Sequence, residues 1–304
     1  VPEIAVIVPA YNPGPLLERA VRSVLSQDFT DLECIVVDDG SDGPLDHIVE
    51  IDPSRVRYHR QTNMGVSAAR NVGVALTDSR FVAFLDQDDE WLPGKLTAQR
   101  ELHLRIPQAS FCHTRFYWNS GQGDVASPRQ DVDFEASLAA RIHVCLSSVL
   151  VERIKHDTVG GHNPVLAQHQ DWDYLLRLMM VFGPAVAPDD VYVRYHVHEL
   201  NASRNYEANA LEGEALRVLY EAWARSRGEA RALAALKRSR RIAGRTHAHQ
   251  AIDEARGSIR GGDAQAAAHH LWRALRYNPK AVVESSASFV RARVRPDRTS
   301  STSS

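Results

Sequence analysis

The sequence predicts an α/β fold, a mainly parallel sheet flanked by helices and followed by an α-helical C-terminal region. Two observations carry this expectation. Short apolar runs alternate with helically spaced apolar residues from Ile4 to about Arg100, the pattern of strand, crossover helix and parallel strand. Beyond Asn205 the chain turns to Ala, Arg, Leu and Glu at helical period, with no further strand signal.

Each element has its own signature. Ile4-Ala-Val-Ile-Val8 reads as a buried strand, and Leu16, Leu17, Ala20, Val21, Val24 and Leu25 recur as one face of a helix. Leu32 to Val37 is a second strand, closed by the turn-forming run Asp38-Asp-Gly-Ser-Asp-Gly-Pro44. Val56 to Arg60 is a weaker third strand, Val66 to Leu76 a helix, and Phe81 to Leu85 a fourth strand, with another helix expected from near Pro93. From about Ser110 the pattern is mixed: a β-like run to Tyr117, a polar loop over 119–131, a helix over 171–182 and a strand over 185–196. Gly228, Gly257, Gly261 and Gly262 punctuate the helical remainder. The expected division is residues 1–204, with halves 1–110 and 111–204, then a helical region 205–295 and a disordered tail 296–304.

Composition narrows the classes. With 44% hydrophobic and 24% charged residues in 304, the chain has the material of a globular protein with a real core. No run of 18 apolar residues occurs, and Val1 to Pro9 lacks the basic flank of a leader, so a cytoplasmic protein is expected. The three cysteines, Cys34, Cys112 and Cys145, are widely spaced with no Cys-x-x-Cys pair, and read as reduced thiols. Net charge is −2, but it is unevenly spread. Residues 205–304 carry 18 Lys+Arg against 10 Asp+Glu, an excess of +8; the remaining 18 against 28 leave −10 in residues 1–204. The basic helical part suits an anionic surface, and peripheral contact with the inner face of a membrane is expected through its helices. Stacking aromatics do not alternate with the arginines, so no nucleic-acid partner is expected.

The chemistry lies where strands end. Phe84-Leu-Asp-Gln-Asp-Asp-Glu-Trp91 places Asp86, Asp88 and Asp89 directly after the fourth strand, where open α/β sheets bind ligands. Carboxylates so close repel unless a cation joins them, and hard oxygen donors suit Mg²⁺ or Mn²⁺ sharing its shell with substrate phosphates. Three further segments end strands or open the next helix on the same rim: Pro9-Ala-Tyr-Asn12, Asp38-Asp-Gly-Ser-Asp42 and Asn63 to Gly73. A nicotinamide-dependent oxidoreductase would share the layout, but no Gly-x-Gly-x-x-Gly follows the first strand.

These segments, with Gln170-Asp-Trp-Asp-Tyr-Leu-Leu-Arg177, make residues 3 to 203 resemble the inverting family 2 glycosyltransferases of the GT-A fold. The resemblance implies a nucleoside diphosphate sugar donor, UDP first and dTDP second, and a saccharide or lipid-linked hydroxyl acceptor in cell-surface polysaccharide or glycoconjugate synthesis. It implies that Pro9, Tyr11 and Asn12 line the nucleotide pocket, that Asp39 accepts the imide hydrogen of a pyrimidine, and that Arg70 approaches the base or diphosphate. Asp86 would face the ribose or the metal through water, with Gln87 beside it, and Asp88 would bind the Mn²⁺ or Mg²⁺. Asp89 would cap the helix that follows. Asp171 would be the catalytic base, although Gln170 stands where the family has an acidic neighbour. The second metal ligand would be His198, aligned on Asn201 and Ser203, or His196, aligned on Arg194. The other histidines read as surface residues on helices. A nucleotide-sugar hydrolase and a non-catalytic sugar-nucleotide scaffold remain as alternatives.

Overall fold

The structure, a computed structural model, describes residues 1–119, 121, 123–128, 132–140, 144–197 and 205–280. In chain order the elements are β1 (Ile4–Ala10), α1 (Leu16–Leu25), β2 (Leu32–Asp38), β3 (Val56–Arg60), α2 (Val66–Ala75), β4 (Phe81–Phe84), β5 (Glu90–Trp91) and α3 (Lys95–Arg105). Then come β6 (Arg115–Asn119), β7 (Asp124–Ala126), α4 (Phe134–Leu138), β8 (Leu150–Glu152), α5 (Arg153–Thr158), α6 (Gln170–Phe182) and β9 (Val191–His196). Three helices follow, α7 (Tyr206–Arg227), α8 (Ala230–Arg260) and α9 (Ala264–Tyr277).

A five-stranded sheet in the order β3-β2-β1-β4-β8 forms the centre. Its first four strands are parallel, and β8 closes the edge antiparallel to β4. β1 is buried along its whole length, so its alternate side chains feed two cores. Ile4, Val6 and Val8 pack with Leu17 and Val21 of α1, Phe81, Leu85 and Trp91. Ala5 and Ile7 pack on the opposite face with Val37, Phe84 and, from α6, Tyr174 and Leu178. Gly73 lets α2 lie directly on β1: a Cβ there would stand 2.4 Å from Ile7 Cγ2.

A second, four-stranded sheet in the order β5-β9-β6-β7 stands beyond the strand ends. The sequence pattern did not reveal it, because β5 and β7 are too short to show a period. The expected run from Ser110 to Tyr117 divides: Cys112 bridges Leu150 and Val186, and the strand proper begins at Arg115. The last strand is likewise confined to Val191–His196.

The helical region is continuous with this core. Leu216, Tyr220 and Ala224 of α7 and Ala232, Ala235 and Leu236 of α8 belong to the same cluster as Tyr174 and Leu175. Gly228, left-handed at φ 70°, ends α7 as its spacing predicts. Gly257 does not end a helix; α8 runs through it to Arg260, since its packing outweighs the roughly 1 kcal/mol that one glycine costs a helix. The expected tail at 296–304 lies outside the described residues.

Candidate active site

Four loops meet at the C-terminal ends of the parallel strands, and Pro9 helps to open the space between them. Ile7 O accepts from Leu85 N, so odd-numbered residues of β1 face β4. Pro9 has no N–H to offer on that side, and pairing between β1 and β4 stops at Ile7 and Phe84. The two chains then diverge into the Tyr11 and Asp86 loops, and Gln87 braces them. Its Oε1 accepts from Tyr11 N at 2.8 Å, and its Nε2 donates to Tyr11 O at 3.2 Å. The Tyr11 ring stays half exposed at 48%. Asn12, at φ 44°, is held by Ser41 and Asp42: its N donates to Ser41 Oγ at 3.0 Å, and Asp42 N donates to its Oδ1 at 2.9 Å.

The Asp38 and Asp39 pair divides into two tasks. Asp38 is fully buried and structural. Burial pushes its carboxyl up, yet hydrogen bonds from Ser41 and Tyr58 and the charge of Arg60 outweigh this and hold it below the ordinary value. Asp39 organises the loop between β3 and α2: Oδ1 accepts from Gln61 Nε2 at 2.7 Å and Met64 N at 2.9 Å, Oδ2 from Gly65 N at 2.8 Å. Oδ2 therefore keeps acceptor capacity for one more donor.

Arg70 is the group that the protein leaves unfinished. It is 3% exposed, and its Nη2 donates to Asp86 Oδ1 at 2.6 Å. Its Nε and Nη1 are buried without a hydrogen-bond partner among the described residues. Unsatisfied donors on a buried guanidinium cost several kcal/mol in a finished site, roughly 1–3 for each group. They are the expected state of one built for an anionic ligand.

The aspartates after β4 separate by burial. Asp89 is 1% exposed and does not cap α3, whose N-terminal cap position is Gly94. Its carboxylate instead accepts from Ser147 Oγ at 2.5 Å and from His196 N at 3.2 Å. Desolvation first, and then the charges of Asp86 and Asp88, raise the Asp89 carboxyl well above the ordinary range. Ser147 Oγ also accepts from Asp86 N at 3.1 Å, and Arg19 Nη2 donates to the Asp88 carbonyl at 2.8 Å. Together they fix the turn that presents the carboxylates of Asp86 and Asp88.

These residues fit a hard divalent cation. The carboxylates offer hard oxygen donors, and Asp86 and Asp88 are close enough to repel Asp89. Among the described residues no group of three or more His, Cys, Asp and Glu side chains is arranged to hold a metal ion alone. Asp88, with Asp86, would therefore share the ion with phosphate oxygens and water, the usual mode for Mg²⁺. His196 lies at the end of β9, its Nε2 3.8 Å from Glu90 Oε2, and it feels the charge of Asp88. His198 lies outside the described residues.

Asp171 stands in the first turn of α6, and Trp172 N donates to its Oδ1 at 2.7 Å. The cap position belongs to His169, not to Asp171. Asn71, next to Arg70, ties this region to α2: its Nδ2 donates to His162 O and its Oδ1 accepts from His162 N, both at 2.8 Å. His162 is itself buried between Phe84 and Tyr174, with the Tyr174 ring stacked at 4.1 Å. Burial and the neighbouring Arg70 hold it well below its ordinary value, hence neutral. His103, His113 and His156 are buried as well, which corrects the expectation that these histidines lie on the surface; no helical period marks them as core residues.

The sequence reading missed Arg19, Ser147 and His162. Each meets the rim from a distant segment, and none lies in a motif.

The comparisons with known proteins agree with this geometry. Residues 5–154 match the model of Glycosyl transferase family 2. The chain is 39% identical over 213 residues to the putative teichuronic acid biosynthesis glycosyltransferase TuaG of Bacillus subtilis, covering 67% of this chain and 82% of that protein. It is 41% identical over 101 residues to the GalNAc(5)-diNAcBac-PP-undecaprenol beta-1,3-glucosyltransferase of Campylobacter jejuni, a match over 32% of this chain and only 33% of that relative. The structure of S. aureus TarS 1-349 in complex with UDP-GlcNAc superposes with a TM-score of 0.57 at 17% identity, covering 88% of this chain and 90% of that one, which supports the GT-A type of α/β fold. With a sheet that ends in an acidic, arginine-lined rim and a relative matched over most of its length, the chain belongs to glycosyl transferase family 2.

Proposed function

We propose that the chain is an inverting, metal-dependent transferase that moves a sugar from a UDP-sugar, with a dTDP-sugar as second choice, to a hydroxyl of a saccharide or lipid-linked acceptor in cell-surface polysaccharide synthesis. The observation that carries this reading is Arg70, buried beside Asp86 with two guanidinium nitrogens unsatisfied. A diphosphate supplies the oxygens those nitrogens lack. Asp39 Oδ2 has room for a pyrimidine imide hydrogen, and the exposed Tyr11 ring would cover the base or ribose. The TarS structure contains UDP-GlcNAc, and the names of TuaG and the Campylobacter relative state teichuronic acid synthesis and an undecaprenol-linked acceptor.

The residues then have separable tasks. Asp171 takes the proton of the acceptor hydroxyl, whose oxygen bonds to the anomeric carbon from the face opposite the leaving group. The bond from that carbon to the diphosphate oxygen breaks, its electron pair leaves with the diphosphate, and configuration inverts. Arg70 holds the charge that gathers there, while Asp86 fixes the guanidinium in place. A divalent ion at Asp88, when bound, supplies Lewis-acid stabilisation of the same diphosphate. His196 or His198 would be its further protein ligand.

A thermal-shift panel of UDP-, dTDP- and GDP-sugars, each with and without Mn²⁺, tests the donor side. UDP-sugars should give the largest Mn²⁺-dependent stabilisation; a preference for GDP-sugars would remove the role given to Asp39. Asp171→Asn should bind donor and lose transfer. Retained transfer would remove its role as base, and nucleotide release without any acceptor product would favour the hydrolase.

The helical region also favours contact with an anionic membrane. α9 exposes Ala264, Ala268, Leu271, Trp272 and Leu275 at helical spacing, and the Arg276 guanidinium lies 5.6 Å from the Trp272 ring. An apolar ridge with an interfacial tryptophan and Arg276 beside it suits the headgroup boundary of acidic lipid. Flotation with phosphatidylglycerol vesicles should recover the protein, and Trp272→Ala should reduce recovery. Equal recovery with neutral vesicles would count against it.

A further inference from the structure

The segment that leads into α6 is bound by a carboxylate from outside the sheet domain. Glu212, on α7, accepts three successive backbone hydrogens: Ala167 N at 2.7 Å on Oε1, and Gln168 N at 2.7 Å and His169 N at 2.6 Å on Oε2. Successive amides converging on one anion form a concave nest, and such charge-assisted bonds are short and strong. His169 is also the cap residue of α6, and Asp171 follows in the first turn.

The contact is reinforced along one face of α7. The His169 imidazole Nε2 lies 2.9 Å from Asn209 O. Gly213 leaves room for that ring, since a Cβ there would stand 2.7 Å from the same Nε2. Further along the helix, Tyr220 Oη donates to Asp173 Oδ1 at 3.2 Å. Asn209, Glu212, Gly213 and Tyr220 recur at helical spacing, so one rigid helix fixes both the entry to α6 and its first turn.

We propose that Glu212 is a positioning residue for the transfer: through its bonds to the 167–169 backbone it sets where the Asp171 carboxylate points. The inference rests on the reading of Asp171 as the base. It makes the C-terminal helical region part of the catalytic unit, since among the described residues the nucleotide rim built by Asp39, Arg70 and Asp86 receives no bond from α7, whereas the base-bearing turn does. Donor binding and proton removal are thus held by different parts of the chain.

Glu212→Gln tests this. The amide keeps the shape but puts an NH₂ group against backbone donors and removes the charge. Misplacing the base should lower kcat between about 10-fold and 100-fold, while the affinity for UDP-sugar, measured by calorimetry, stays within about twofold. Glu212→Asp, which keeps the charge on a shorter arm, should recover part of kcat. Adding Glu212→Gln to Asp171→Asn should cost nothing further, because the residue being positioned is already gone. A fall of kcat and donor affinity in step with the melting temperature would make Glu212 a fold contact only and overturn the proposal. Wild-type kcat in Glu212→Gln, with transfer lost in Asp171→Asn, would overturn it alone; transfer retained in Asp171→Asn would overturn the underlying reading instead. Should Glu212→Gln not fold, Gly213→Ala displaces His169 from the same clamp and is judged by the same split between kcat and donor affinity.

Discussion

Arg70 sits at the balance between stability and binding. The fold buries two of its nitrogens without a partner among the described residues, a cost recovered when an anion arrives. Arg70→Met should therefore weaken UDP-sugar binding by about 2 kcal/mol or more, roughly thirtyfold, with a smaller change in melting temperature. Calorimetric titration beside thermal unfolding checks both. Lys95 is the opposite case, a buried cation with a finished environment. Its Nζ donates to Gln99 Oε1 at 2.6 Å and lies 3.9 Å from the centre of the Trp91 ring. Burial nonetheless lowers its pKa from 10.5 to about 7. Between those values the unfolded chain binds the proton and the folded chain does not, so stability rises with pH across the window. Below about 7 both states are charged and the full cost of burial is present. The slope from this one group approaches at most about 1.4 kcal/mol per pH unit, and Lys95→Met should flatten it in urea unfolding followed from pH 6 to pH 9.

At the level of elements, the close approach of α2 to β1 decides the geometry of the rim. α2 carries Arg70 and Asn71, and Gly73 is what allows it to lie on Ile7. Gly73→Ala puts a methyl 2.4 Å from Ile7 Cγ2, which should cost about 1–3 kcal/mol by overpacking. It should also lower donor affinity by moving Arg70, measurable as a lower melting temperature and a reduced UDP-sugar shift. The strands and helices around this contact were legible in the sequence: β3 has its expected bounds, and β1, α1, β2, α2 and β4 differ from them by at most a few terminal residues. Their signal is local, because a strand buried on both faces must be continuously apolar and a surface helix must repeat at its own period. β5, β7 and β8 were not legible, since two or three residues carry no periodicity and owe their pairing to partners far along the chain.

For the whole molecule, the sheet domain and the helices after it share one core through Tyr174, Leu175, Leu216, Tyr220 and Leu236. A chain ending at residue 204 would expose that surface and should aggregate or unfold, whereas one ending at residue 262 loses α9 and the residues after it and should keep both fold and transfer while losing recovery with acidic vesicles. Gel filtration, circular dichroism and flotation of the two truncations distinguish these outcomes. The sequence by itself determined the α/β class, the order of the parallel strands' elements, and the rim segments bearing Asp39, Arg70, Asp86 and Asp88, because motif residues next to strand ends need no tertiary information to be placed together. Only the tertiary structure decided that Asp89 is a buried anchor for Ser147 and His196, that Arg70 keeps unsatisfied donors, and that Glu212 holds the turn bearing Asp171. The physical reason is the same in each case: burial, and the partners that burial makes obligatory, arise between segments tens of residues apart, and no local pattern of residue types encodes them.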